Sequence, residues 1–169
     1  MTVQIPPGAF QGWCAGEPRD ATAPSLPSLD GLNILVAEDD FRLARQLEQA
    51  LLDAGGYVVG PAETVSDALR LINVEQVDGA ILDTVLHREV PTLVAERLSD
   101  KDVPFVFHAD ARLPDELWAR FPLTPVCAKS MEPTALVRSF SEYLAKRLDD
   151  ADGRDHRTVG HRLAIWQLP

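Results

Sequence analysis

From Leu32 onward, five short apolar runs alternate with stretches of helical spacing, and this alternation limits the fold more than any other feature of the chain. The first run, LNILVA at 32–37, has the length of a buried strand. After it, Ala44, Leu47, Leu51 and Ala54 recur at offsets that share one face of a helix. Gly55 and Gly56 stop that helix, because glycine accepts the left-handed turn of a helix end. Tyr57–Val59 form a second strand. Thr64 or Ser66 can cap a second helix, with Val65, Ala68, Leu69 and Ile72 turned inward. Ala80–Leu82 form a third strand that ends at Asp83, and Pro91 to about Leu98 a short third helix. VPFVFH at 103–108 is the fourth strand, with Pro104 tolerable near its start. Leu113–Phe121 support one or two turns of a weak fourth helix, and Val126–Ala128 a fifth strand. Met131 to about Leu148 form the strongest helix. Ser130 is its expected cap, Pro133 lies in its first turn, and Leu136, Val137, Phe140, Tyr143, Leu144 and Leu148 are expected to face inward.

Strands alternating with helices imply a parallel sheet covered on both faces. The expected fold is α/β: a doubly wound, flavodoxin-like (βα)5 sheet with strand order 2-1-3-4-5. Residues 1–30 differ in texture. They hold Pro6, Pro7, Pro18, Pro24 and Pro27, which disfavour helix and sheet interiors. They read as a flexible arm, with Phe10 and Trp13 as potential docking points. Residues 149–169 read as a charged tail with an apolar end, LAIWQLP, that Trp166 can anchor to this or another subunit. The domain itself is expected over 31–148.

Charge and cysteine content narrow the function classes. The net charge is −10 and no basic stripe appears, which argues against nucleic-acid binding. No apolar run approaches the roughly 18 residues of a membrane span. A signal peptide's basic and apolar regions are absent from the start, so the cytoplasm is the expected location. Cys14 and Cys127 lack the spacing of a zinc site, and Cys127 reads as a core thiol. The acidity either serves solubility or binds a hard cation.

In a doubly wound sheet, ligands bind outside the carboxyl ends of the strands. Glu38, Asp39 and Asp40 follow the first strand, Asp83 ends the third, Ala109 and Asp110 follow the fourth, and Lys129 follows the fifth. The first and third strands are neighbours in the expected order, so their carboxylates converge. Such a cluster repels itself unless a divalent cation sits among the acids, and oxygen ligands on loops suit magnesium. A carboxylate can accept a phosphoryl group, and a lysine opposite neutralises the charge that develops. An acid at one strand end means little alone. Three acids and a lysine at the right ends form a coherent phosphoryl-transfer site.

ILVAEDD (34–40), AILD (80–83) and VCAK (126–129) resemble the landmarks of response-regulator receiver domains of the CheY-like type, over roughly residues 31–148. About 45 residues separate the first acids from Asp83, and Lys129 follows 46 residues later. VPFVFHAD also resembles the VPFVFATG-type fourth strand of stand-alone receivers in alphaproteobacterial signalling. The resemblance implies that Asp83 is the phosphoacceptor and that Glu38 and Asp39 hold Mg2+, directly or through water. Asp83 and the backbone carbonyl of Val85 would be further metal ligands, and Lys129 would contact the phosphoryl group. Asp40 would lie outside the metal's ligands and cap the first helix. The implied partners are a histidine kinase or histidine phosphotransfer protein and a protein effector, and a homodimer is compatible. Neither nucleic acid nor membrane is implied, and the protein would not be an enzyme.

The departures concern readout. Receivers usually place Thr or Ser where Ala109 stands, an aromatic where Val126 stands and Pro where Ser130 stands. A cis bond after Lys129 is therefore not expected. Asp110 is expected to face solvent. So is the side chain of His87, which replaces the usual Pro in the loop after the acceptor. His108 cannot substitute for the missing hydroxyl, because neighbouring strand residues point to opposite faces. Three other readings compete with this one. A pseudo-receiver would use the fold for docking without phosphorylation. An aspartyl phosphatase would need D-x-D, whereas this chain has Asp83-Thr84-Val85. A DNA-binding regulator would need an output domain, for which the residues after the last helix are expected to be too few.

Overall fold

The computed structural model describes residues 28–110 and 112–155, with side chains as far as Leu148. Phe10, Trp13, Cys14 and Trp166 lie outside the described residues. The elements run β1 (Asn33–Ala37), α1 (Phe41–Asp53), β2 (Tyr57–Ala62), α2 (Val65–Val74), β3 (Gly79–Asp83), α3 (Thr92–Asp100), β4 (Phe105–Ala109), α4 (Asp115–Arg120), β5 (Val126–Ala128) and α5 (Pro133–Asp155). The strands pair in parallel in the order β2-β1-β3-β4-β5, as the alternation predicts.

The near-continuous apolar runs of β1, β3 and β4 follow from this placement, because each strand is covered on both faces. Leu35, Leu82 and Phe107 pack with Ala68, Ile72, Val94, Leu98 and Leu117, under α2, α3 and α4. Ile34, Val36, Ile81, Val106 and Cys127 pack with Leu47, Leu51, Leu136 and Phe140, under α1 and α5. Phe107 and Phe140 are fully buried, and burial of such a side chain stabilises by roughly 1.5–3 kcal/mol. Gly79 lets α5 approach β3 closely, since a Cβ there would lie 3.0 Å from Phe140 Cζ and from Leu144 Cδ2.

The helix starts are capped by side chains. Asp40 accepts from the amides of Arg42 at 2.8 Å and Leu43 at 3.2 Å. Thr64, rather than Ser66, accepts from Asp67 N–H at 3.1 Å. Each such cap contributes about 1 kcal/mol. At the end of α1, Gly55 adopts φ 86 and its N–H reaches Leu52 O at 3.0 Å.

Three expectations need correction. β2 continues past Val59 to Ala62, because a register shift between Leu35 and Ala37 brings Ala62 opposite Ala37. The paired backbone thereby reaches the end of β1, where Glu38 N–H bonds Ala62 O at 3.0 Å. α5 is capped by Glu132 and not by Ser130: the Glu132 carboxylate accepts from Thr134 N–H at 3.1 Å and from its hydroxyl. α5 also continues to Asp155, and Leu148 is 47% exposed rather than inward. The apolar spacing stops near Leu144, but nothing in the next residues breaks a helix. The cis peptide bond among the described residues is Gly60–Pro61. Among them, no helix is long and apolar enough to cross a membrane.

Candidate phosphoryl-transfer site

Strand ends bring the sequence-predicted residues together. Glu38 and Asp39 leave β1, Asp83 ends β3, Ala109 ends β4 and Lys129 follows β5. Lys129 is drawn inward because its own N–H bonds Ala109 O at 2.8 Å. Its Nζ then donates to Asp83 Oδ2 at 2.6 Å and to Glu38 Oε1 at 2.9 Å. Glu38 and Asp83 are buried, and the Lys129 side chain is 12% exposed. Asp83 Oδ1 accepts from Thr84 N–H at 2.6 Å, and Val85 N–H lies 3.4 Å from the same oxygen. Glu38, Asp39 and Asp83 each offer an oxygen within 4.8 Å of the others, a set of hard donors that fits a divalent cation. Asp39 is the most open of the three.

The electrostatics follow from burial and crowding. Desolvation raises the Asp83 carboxyl most, the Lys129 hydrogen bond opposes this, and the Glu38 charge adds to the rise; the result is a pKa pushed up to about 6. For Glu38, burial also pushes upward, but hydrogen bonds from His108 and Lys129, the Lys129 charge and the Asp40 amide outweigh it. Its pKa is lowered from the usual value. Burial alone would lower Lys129, yet bonds to both carboxylates hold its pKa above the usual one. Glu38 is thus the settled anion of the pair, and Asp83 is the carboxylate with an unmet need for positive charge.

Two histidines near the site take roles that the spacing of the motifs does not predict. His108 is buried, and its Nδ1 lies 3.1 Å from Glu38 Oε2. It does point away from Ala109's side, as strand alternation requires. That same alternation puts it on the face of Asp83, its register partner across β3 and β4, and this signal was available in the sequence. His87 contributes through its backbone. Its side chain is exposed, 4.0 Å from Asp39, but its N–H donates to Asp39 Oδ2 at 2.9 Å. A proline there could not donate. His87 and Arg88 both have positive φ, 48 and 70, and Leu86 and Glu89 exchange backbone hydrogen bonds around them. This is the geometry of a two-residue hairpin turn. Asp110 is exposed. Ala109 is buried without a polar side-chain atom, and Val126 is half-buried at the β5 edge.

No family model and no curated protein matches the sequence. Solved structures do. SdrG from Sphingomonas melonis Fr1 is 32% identical, with 69% of this chain and 96% of SdrG covered and a TM-score of 0.57. A second SdrG structure, described as the BeF3-activated conformation from Pseudomonas melonis Fr1, is also 32% identical, with 66% and 95% covered and a TM-score of 0.55. The chain belongs to the response-regulator receiver family. A receiver protein from Sinorhizobium medicae WSM419, 24% identical over 71% of this chain and 99% of its own with a TM-score of 0.60, shares the receiver's fold. So does the response regulator PhyR from Brucella abortus, 23% identical over 78% of this chain with a TM-score of 0.66. This receiver spans 55% of that PhyR chain, about half its length.

Proposed function

We propose that the protein is a response regulator whose receiver unit, residues 31–148, accepts a phosphoryl group on Asp83 and signals through protein contacts rather than acting as an enzyme. The observation that carries this reading is Lys129 held between Asp83 and Glu38, beside the open carboxylate of Asp39. The donor is a histidine kinase or a histidine phosphotransfer protein. The phosphorus–nitrogen bond of the donor phosphohistidine breaks, an Asp83 oxygen forms the new bond to phosphorus, and the leaving imidazole takes a proton from solvent. Asp39, Asp83 and the carbonyl of Val85 would hold Mg2+ directly. Glu38, whose oxygens are already bonded, would act through water and by its charge. When bound, the ion supplies positive charge to the transferring oxygens. Lys129 exchanges its bond to Asp83 for one to a phosphoryl oxygen. The Thr84 and Val85 amides then orient the acceptor. The proposed location is the cytoplasm, where such donors act; an arm precedes the unit and a tail follows it, but Leu29 packs in the core and α5 runs on to Asp155, so the folded unit reaches past 31–148 at both ends.

Ala109 favours a second reading, a pseudo-receiver that docks without phosphorylation, because it offers no hydrogen bond to a phosphoryl group. The switch positions Ala109 and Val126 also lack the side chains that usually read phosphorylation out. Intact mass after incubation with magnesium and acetyl phosphate separates the two. Under the phosphoacceptor reading, wild type gains one phosphoryl adduct and Asp83→Asn none. Wild type without an adduct, from acetyl phosphate or from a set of histidine kinases, would leave the pseudo-receiver.

A further inference from the structure

His108 is the buried titratable side chain at this site that the proposed chemistry does not use. An imidazole removed from water needs a hydrogen-bond partner, and here that partner is itself buried. Glu38 is 1% exposed and His108 2%. An ionised carboxylate can only accept, so Nδ1 carries the proton and donates to Oε2. Glu38 Oε1 takes Lys129 Nζ at 2.9 Å and the Asp40 amide at 3.2 Å. Both carboxylate oxygens are therefore engaged, from opposite sides, and the side chain has one arrangement.

We propose that His108 is a positioning residue: it fixes Glu38, and Glu38 in turn seats Lys129 against Asp83. This deepens the phosphoacceptor reading and rests on it. It also gives β4 a different role. The strand's last residue, Ala109, offers nothing to a phosphoryl group, while the residue before it supports the acid across the sheet. Without His108, Glu38 Oε2 becomes a buried acceptor lacking its donor. The carboxylate then turns Oε2 toward Lys129, the side-chain donor it has left, or swings into the space between the acids where a cation would sit. Either move competes for the lysine and disorders the oxygens available to a cation. Loss of a group that orients a metal site's ligands weakens metal binding about tenfold or more.

The test uses the full chain as wild type, His108→Asn, His108→Gln and His108→Leu. Binding of Mg2+ alone, and of beryllofluoride in the presence of Mg2+, is measured by calorimetry, with a thermal melt for each variant. Asparagine places an amide N–H near the position of Nδ1, whereas glutamine places it near Nε2. His108→Asn is expected to bind within a few-fold of wild type, and His108→Gln and His108→Leu about tenfold more weakly. Should the leucine variant fail to fold, the Asn–Gln pair decides by itself. Equal binding by those two would overturn the positioning role while leaving the phosphoacceptor reading intact. A wild type that binds neither Mg2+ nor beryllofluoride would overturn that reading and this inference with it.

Discussion

The two halves of the site are built differently. On the β1–β3 side, charge meets charge at short range: Lys129, carried in from β5, bonds Asp83 and Glu38, His108 bonds Glu38, and the loop after β3 bonds Asp39. On the β4–β5 side, facing α4, the corresponding positions are apolar. Ala109 is buried without a donor, and Val126, the register partner of Phe107, packs against the apolar cluster that holds Phe105 and Phe107. The rings of Phe105, Phe107 and Phe121 meet edge to face, a packed arrangement with little to gain from a phosphoryl group. Taking up a phosphoryl group and reading it out are therefore separable physical tasks. The first needs fixed charge, and the second needs a surface with two arrangements whose balance the charge shifts.

The largest effect tests the charged half. Lys129→Ala leaves two buried carboxylates facing each other, and stability at pH 7.5 should fall by about 3 kcal/mol, read by urea unfolding. A smaller loss would mean that water already shares the lysine's role.

Asp83→Asn should do the opposite. Folding raises the Asp83 pKa from its usual 3.8 to about 6. The folded state therefore holds this proton more tightly than the unfolded chain, and stability from this group is lost as pH rises from about 4 to about 6. Asparagine escapes that loss. Above pH 6 and without magnesium the variant should be more stable than wild type, by about 1–2 kcal/mol once Lys129's lost partner is discounted. The gain should vanish below pH 4 and shrink when magnesium is added. Unfolding curves across that range check the sign.

Ala109→Thr probes the apolar half. A hydroxyl at the end of β4 should lengthen the life of the acyl phosphate severalfold, measured by loss of the mass adduct with time. An unchanged decay rate would show that the missing hydroxyl does not set that lifetime. The smallest effect concerns the loop. Arg88 holds φ 70, where glycine is easier, so Arg88→Gly should stabilise by about 0.5 kcal/mol without altering adduct formation.

Much of this was legible in the sequence because burial writes a simple pattern. Strands covered on both faces become continuous apolar runs, and the polar residue that ends such a run sits at the strand's carboxyl end. That placed Glu38, Asp39, Asp83 and Lys129 near one another. The cap of α2 was legible as Thr64 or Ser66, and the resemblance implied Asp40 for α1, since such bonds are to amides two or three residues away. What escaped were partnerships between residues far apart in the sequence. His108 finds Glu38 across the intervening β3, from a position where an apolar residue would serve the fold equally well. The Asp39 bond to His87 uses a backbone amide, which every residue but proline offers. Leu148 looked inward by spacing alone, but it is exposed, one turn beyond Leu144, the last buried core residue described in α5.

The His87 turn has a use of its own. Its amide proton is tied to Asp39, so the rate at which deuterium replaces it follows whatever engages that carboxylate. A cation drawing Asp39 away would unfasten the amide and speed the exchange, while the amides of β1 and β3 would keep their rates. One backbone position would thus report the occupancy of the site in the chain as it stands, with no added probe group.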